Sequence, residues 1–224
     1  VIATTDFAAA EFVRIKTNNL RKVALGVDLI GFTPENRNYK LRKELLKGAE
    51  FLLVHCGRMS PEKQPERSVQ ALAELIKRGV NARLIIVGGG PLWNKVRKQS
   101  TGLPVDMVGY IASRQKVADY LAAADLAIAP GPLETFCLSA LESLASGTPV
   151  VASKSSAVGE ILNVNSIKAA GAVAADDGLS FANEIIKLLN KGNLRKVARN
   201  QAEQYSWANT IDAMLDIHGA KQPM

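Results

Sequence analysis

Six short apolar runs, separated by stretches with helical spacing, constrain this chain more than anything else in it. The runs are Phe51–Cys56, 83–88, Val105–Gly109, 125–129, 149–153 and Gly171–Ala174, each four to six residues long. Continuous apolar runs of that length suit strands buried on both faces of a parallel sheet. Parallel strands need long crossovers, and the amphipathic stretches 65–77, 91–99, 113–123, 137–145 and 179–189 supply them. Pro61 and Pro91 suit first helical turns, while Gly79 and Gly147 follow helix ends. The alternation predicts an α/β fold: a doubly wound, Rossmann-like parallel sheet over residues 21–190. Residues 191–217 read as two further helices, punctuated by Tyr205-Ser206-Trp207, and 218–224 as a polar tail.

Composition narrows the class. With 47% hydrophobic and 22% charged residues among 224, the chain is globular rather than disordered. It holds no apolar run of about 18 residues or more, the length a membrane-spanning helix requires. It opens on Val1-Ile-Ala-Thr-Thr-Asp6, which reads as the middle of a strand and its turn, and so as a piece of a longer protein. The net charge of +7 gathers early, at Arg14, Lys16, Arg21 and Lys22, then Arg37, Lys40, Arg42, Lys43 and Lys47. The first expectation for these cations is a solvated face, the second an anionic membrane surface. Aromatic residues make up only 5% and do not interleave with the basic clusters, which argues against single-stranded nucleic acid as a partner. Cys56 and Cys137 form neither a disulfide framework nor a metal spacing, which suits a reducing cytoplasm. Nor do His55 and His218 join a cluster that would hold a metal.

Ligands of such sheets sit beyond the carboxyl ends of the strands, and the chemically capable residues fall at that edge. After the first long strand, Gly57 allows a sharp turn, Arg58 offers a planar fork of donors for phosphate, and Lys63 adds a point charge. After the second, Gly88-Gly89-Gly90-Pro91 opens a helix whose N-terminus favours anions; the same glycines suit a plain tight turn. They lack G-x-G-x-x-G spacing, which disfavours a dinucleotide site. After the fourth comes Pro130-Gly-Pro-Leu-Glu134-Thr-Phe136-Cys137-Leu138, with Glu142 further along an otherwise apolar helix. A carboxylate among Leu138, Leu141 and Leu144 is costly to bury unless something binds or pairs with it. The N–H groups of Phe136, Cys137 and Leu138 would begin that helix as an anion cradle. Glu134 can accept from sugar hydroxyls and Glu142 from a ribose, against the plainer readings of a helix-start carboxylate and a buried ion pair.

Together with Leu25-Gly26-Val27-Asp28, Phe32-Thr-Pro34 and Gly147-Thr-Pro149-Val-Val, these segments resemble the family 4 glycosyltransferases. The resemblance covers roughly residues 1–217 and implies a retaining enzyme of the two-domain GT-B fold, of which this would be the C-terminal, donor-binding half. It implies that residues 1–20 end an N-terminal domain and its linker, and that 191–217 pack back toward it. Catalysis would fall to Arg58 and Lys63 at the donor diphosphate and Glu134 at the donor sugar. Gly57, Gly88, Gly90, Ile111, Phe136, Cys137, Leu138 and Glu142 would bind the donor: Ile111 the base, Glu142 the ribose and the 136–138 amides the sugar and phosphates. No cofactor or metal is implied. The phrasing around Glu134 and Lys63-Gln-Pro-Glu-Arg67 is similar to actinobacterial mannosyltransferases that take GDP-mannose to lipid acceptors. That implies a lipid-linked or glycan acceptor and a place at the inner face of the plasma membrane. Two departures stand out. Cys137 and Gln64 occupy places where the family commonly has Gly; Cys137 would narrow the donor site, and as a thiol at a helix N-terminus it could be acidified, though a buried filler is the plainer role. The competing readings are a UDP-glucose or UDP-N-acetylglucosamine enzyme, a nucleotide-binding module without turnover, and a basic nucleic-acid or membrane-surface domain.

Overall fold

The computed structural model describes residues 1–192 and 194–219, so residues 220–224 of the expected tail lie outside it. The chain runs β1 (Ile2–Ala3), α1 (Asp6–Arg14), β2 (Arg21–Lys22), α2 (Tyr39–Leu46), β3 (Phe51–Cys56), α3 (Glu66–Lys77), β4 (Ala82–Val87), α4 (Trp93–Gln99) and β5 (Val105–Gly109). It continues through α5 (Arg114–Ala123), β6 (Leu126–Ala129), α6 (Leu138–Ala145), β7 (Val150–Ser153), α7 (Val158–Ile161), β8 (Gly171–Ala174), α8 (Gly178–Asn190), α9 (Arg195–Ala202) and α10 (Trp207–Ile217). Six strands form one parallel sheet in the order β5-β4-β3-β6-β7-β8. The expected doubly wound α/β sheet is therefore present. Its order reverses between β3 and β6, the crevice where such sheets receive ligands.

Both faces of the sheet are covered. In β3, Leu52 and Val54 pack with the α5, α6 and α9 side, while Leu53 turns to the α3 and α8 side. That alternation, with apolar residues on both faces, is why the central strands read as unbroken hydrophobic runs. Strand ends moved where polar residues took other work. The run at 125–129 becomes a strand only from Leu126, because Asp125 accepts hydrogen bonds from Leu52 N–H, Arg37 and Arg42. Helix α2, which lies in the basic cluster, was not expected. It forms behind Asn38, whose side chain caps Lys40 and Leu41 N–H.

The early cations are not simply a solvated face. Arg37 and Arg42 are only 17% and 15% exposed and clasp Asp125, and they also cap the carbonyls of Ala122, Ala123 and Ala124 at the end of α5. Cations at a helix C-terminus complement its dipole. Arg199 of α9 likewise gathers the carbonyls of Leu29, Phe32 and Ala145.

The first residues also join the fold. β1 pairs in parallel with β2, and Thr5 caps α1, whose first N–H groups, of Asp6 and Phe7, donate to Glu160. Thr4 and Thr5 hydroxyls both donate to the carbonyl of Thr135, bracing the loop that precedes α6. Helices α9 and α10 match the two helices expected over 191–217, with Val27 N–H donating to the Tyr205 carbonyl between them. Among the described residues no helix is long and apolar enough to cross a membrane.

Candidate functional site: a cleft at the switch point

The turn after β3 is built by close backbone packing. Gly57 N–H donates to the Val87 carbonyl, and Met59 N–H to that of Gly89. A Cβ on Gly88 would lie 1.9 Å from the Gly57 oxygen, and one on Gly90 would lie 2.5 Å from the Met59 oxygen. Both have positive φ, +130° and +153°. These glycines are needed so that two loops can cross, the tight-turn reading of the triplet. The helix expected at Pro91 starts later, at Trp93, because Leu92 and Trp93 N–H groups turn back on the Met59 and Gly90 carbonyls. The triplet therefore shapes the site wall and does not open directly into a helix.

Beyond the ends of β3, β4 and β5 lies a cleft of about 460 Å³, lined by Gly57, Arg58, Gly88, Ile111 and Glu142 among others. Those five residues, predicted from separate segments, are thus brought together. Phe32, Tyr110 and Arg114, which the sequence reading did not assign to the site, line it too. Glu142 sits on α6 with a side chain 17% exposed, and Arg114 Nη2 of α5 lies 3.3 Å from its Oε1. Arg114 in turn stands 5.1 Å from the centre of the Phe32 ring. Burial raises the Glu142 pKa above the ordinary glutamate value, and Arg114 offsets part of that. The ion-pair reading of Glu142 therefore holds alongside its place in the cleft, since Arg114 is 68% exposed and faces solvent. The signal for Arg114 was Ser113, whose side chain caps α5 and sets Arg114 at its first turn.

A smaller chamber of about 30 Å³ adjoins the cleft, sharing Cys56 and Gly57 with it. Lys63, Glu134, Cys137 and Ser139 line it. Lys63 and Glu134 are bonded to each other, Nζ to Oε1 at 2.5 Å, with the Glu134 side chain 12% exposed. A charge-assisted contact this short is strong, so a ligand at this point must share the pair or open it. Arg58 is different. It is 71% exposed, with Glu62 3.9 Å away, and it lines the cleft.

The loop into α6 corrects the sequence reading in three ways. The helix begins at Leu138, with Cys137 outside it as a left-handed cap at φ +73°, so Phe136 lies before the first turn. The Phe136 side chain is buried and packs edge-on against Tyr205, 6.1 Å between ring centres. Leu138 is 43% exposed, and neither of these side chains nor Gly90 lines the cleft or the chamber. The backbone still fits the expected cradle: N–H groups of Phe136, Cys137, Leu138 and Ser139 donate to no acceptor among the described residues. Finally, the Cys137 thiol is not acidified. Burial, and then the Glu134 carboxylate, push its pKa up to about 11, because a thiolate there would lose its water beside a negative charge.

Among the described residues no group of three or more His, Cys, Asp and Glu side chains is placed to hold a metal ion.

The profile of the family described as Glycosyl transferases group 1 matches residues 36–205. A Mycobacterium tuberculosis GDP-mannose-dependent alpha-(1-6)-phosphatidylinositol dimannoside mannosyltransferase is 45% identical over 222 residues, 98% of this chain and 57% of that protein. A D-inositol 3-phosphate glycosyltransferase of Saccharomonospora viridis is 29% identical over 97% of this chain and 54% of its own length. The chain thus spans a little over half the length of these relatives. In fold it is similar to Anabaena Alr3699/HepE, solved in complex with UDP and glucose, at a TM-score of 0.83 and 20% identity, covering 99% of this chain and 63% of that one. The parallel sheet, the switch-point cleft and the family profile converge: the chain belongs to the glycosyl transferases group 1 family.

Proposed function

We propose that the whole protein is a retaining hexosyltransferase that moves mannose from GDP-mannose to a lipid-linked or glycan acceptor, and that this chain is its donor-binding half. The observation that carries the reading is the cleft beyond the ends of β3, β4 and β5, where Arg58, Ile111 and, from α6, Glu142 meet. The mannosyl donor is favoured by the 45% identical relative, whose name carries GDP-mannose. In this reading Glu142 takes the ribose hydroxyls and Ile111 the base through its main chain. Arg58 and Lys63 hold the diphosphate, and Glu134 and the amides before α6 hold the sugar. The leaving group is a nucleoside diphosphate, so catalysis consists of stabilising charge that grows on its phosphates. A cation about 4 Å from a phosphate oxygen contributes roughly 4 kcal/mol of attraction at an effective dielectric of 20, before desolvation. Arg58, Lys63 and the free amides can supply that without a metal. The acceptor would enter between this half and an N-terminal domain, against which α10, with no buried residue of its own, would pack, with the exposed early cations favouring an anionic membrane surface at the cytoplasmic face.

Titration calorimetry of this chain with GDP, UDP, ADP and GDP-mannose tests the proposal. Selective GDP binding without turnover is the expected result. UDP preference would move the donor to UDP-glucose or UDP-N-acetylglucosamine, a second reading favoured by the fold neighbour that holds UDP and glucose. Binding to none of them, or binding to polyanions that GDP does not displace, would refute a donor site.

A further inference from the structure

One buried polar group beside this site has no partner. His55, in β3, is 2% exposed, and its Nδ1 lies 2.9 Å from Ser68 Oγ of α3. Its Nε2 is buried and bonded to nothing among the described residues. Buried polar atoms are almost always satisfied, so an orphan at a cleft points to a bound partner. The free edge of the ring lies beneath the turn to Arg58: a Cβ built on Gly57 would stand 3.7 Å from Nε2. His55 also lines the 30 Å³ chamber with Lys63, Glu134 and Ser139. That volume has room for a water, which needs roughly 10–15 Å³ and two or more polar partners.

The protonation state follows from the surroundings. Burial, with Lys63 nearby, brings the His55 pKa down to about 4, so the ring is neutral at pH 7. With the Ser68 hydroxyl donating to Nδ1, having no other acceptor among the described residues, the ring proton is on Nε2, the tautomer on which the proposal rests. A neutral N–H thus faces the chamber, where Glu134 and a bound diphosphate offer oxygen acceptors.

We propose that His55 is a further donor-positioning residue, whose Nε2–H holds one water in the chamber and through it reaches a phosphate oxygen of the nucleoside diphosphate. This rests on reading the cleft as a nucleotide-sugar site. An apolar residue at position 55 would fill the strand equally well but would lose the relay.

Two measurements test it. The chain has only two histidines, so the His55 ring is readily assigned in a long-range proton–nitrogen spectrum of histidine-labelled protein. The expected result is the Nε2–H tautomer, with that resonance shifting on addition of GDP. By calorimetry His55→Phe should weaken GDP binding about twofold to tenfold, the range of one hydrogen bond, and His55→Gln should recover part of it. An Nδ1–H tautomer, an unmoved resonance at saturating GDP, or wild-type affinity in His55→Phe would each overturn the inference. If the wild type binds GDP and Glu142→Ala abolishes it while His55 stays unmoved, the donor site stands and only this inference falls. If the wild type binds no nucleotide, both fall.

Discussion

Replacing Glu142 should move affinity and stability in opposite directions. Its side chain is 17% exposed and its one ionic partner, Arg114, lies 3.3 Å away at 68% exposure. A pair with so exposed a cation is screened and contributes about 1 kcal/mol at most. Burial works against it and raises the carboxyl's pKa. The sign follows: the carboxyl is protonated more readily in the folded chain than in the unfolded one. Its favourable contribution is present below the unfolded value of 4.5 and is lost as pH rises through the raised folded value. At pH 7 the ionised group is therefore a small liability to the fold, and Glu142→Gln should leave stability unchanged or raise it by up to about 1 kcal/mol. Nucleotide binding should fall, because a charged acceptor for ribose hydroxyls contributes about 1.5–3 kcal/mol, roughly a 10- to 150-fold change in dissociation constant. Calorimetry with GDP and thermal melts of wild type and variant at pH 7 and pH 4 read both quantities. The gain in melting temperature should shrink at pH 4. Affinity equal to wild type would refute the ribose assignment, and a joint loss of stability and affinity would show that Glu142 is a structural ion pair.

Cys137→Gly should be near neutral for stability, since relief of the left-handed φ of +73°, about 1 kcal/mol, offsets the lost burial of a small side chain; a melting curve checks it. Gly88→Ala should disrupt the turn carrying Arg58, because its Cβ would lie 1.9 Å from the Gly57 oxygen; loss of GDP binding together with a lower melting temperature is expected, and an unaltered protein would contradict the packing. Asp125→Ala strands Arg37 and Arg42 and frees Leu52 N–H, which should cost about 3 kcal/mol in urea unfolding without entering the donor cleft.

Much of the fold was legible because its signals are local and repetitive. β3, β5 and β8 fall where their runs do: central β3 is apolar at nearly every position because both its faces are buried, while β5 and β8 are short edge strands bounded by turns. The boundaries that moved did so for contacts remote in sequence. Asp125 left its strand to hold Arg37 and Arg42, and Gly88 left β4 to pass over Gly57. Helix α2 was hidden by its charges, because four of its eight residues, Lys40, Arg42, Lys43 and Glu44, are ionic and mask the apolar spacing of Leu41, Leu45 and Leu46. In the site, Arg58, Lys63, Glu134 and Glu142 were readable as charges at strand ends or in an apolar helix, where pattern and residue disagree.

The amino-acid sequence by itself determined the alternation of strands and helices, the edge of the sheet at which the chemically capable residues gather and the carboxylates that do not belong in a core. These depend on periodicity and on single-residue solvation, which act over a few positions of chain. Only the tertiary structure decided that Arg114 faces Glu142 across two helices, that Lys63 closes on Glu134, and that Nε2 of His55 stays buried and unpartnered beneath the site. Each joins groups 28, 71 or 13 residues apart, His55 through its anchor Ser68. Their energy depends on distance and on exclusion of water, which arise when the sheet closes and brings β3 and β6 side by side.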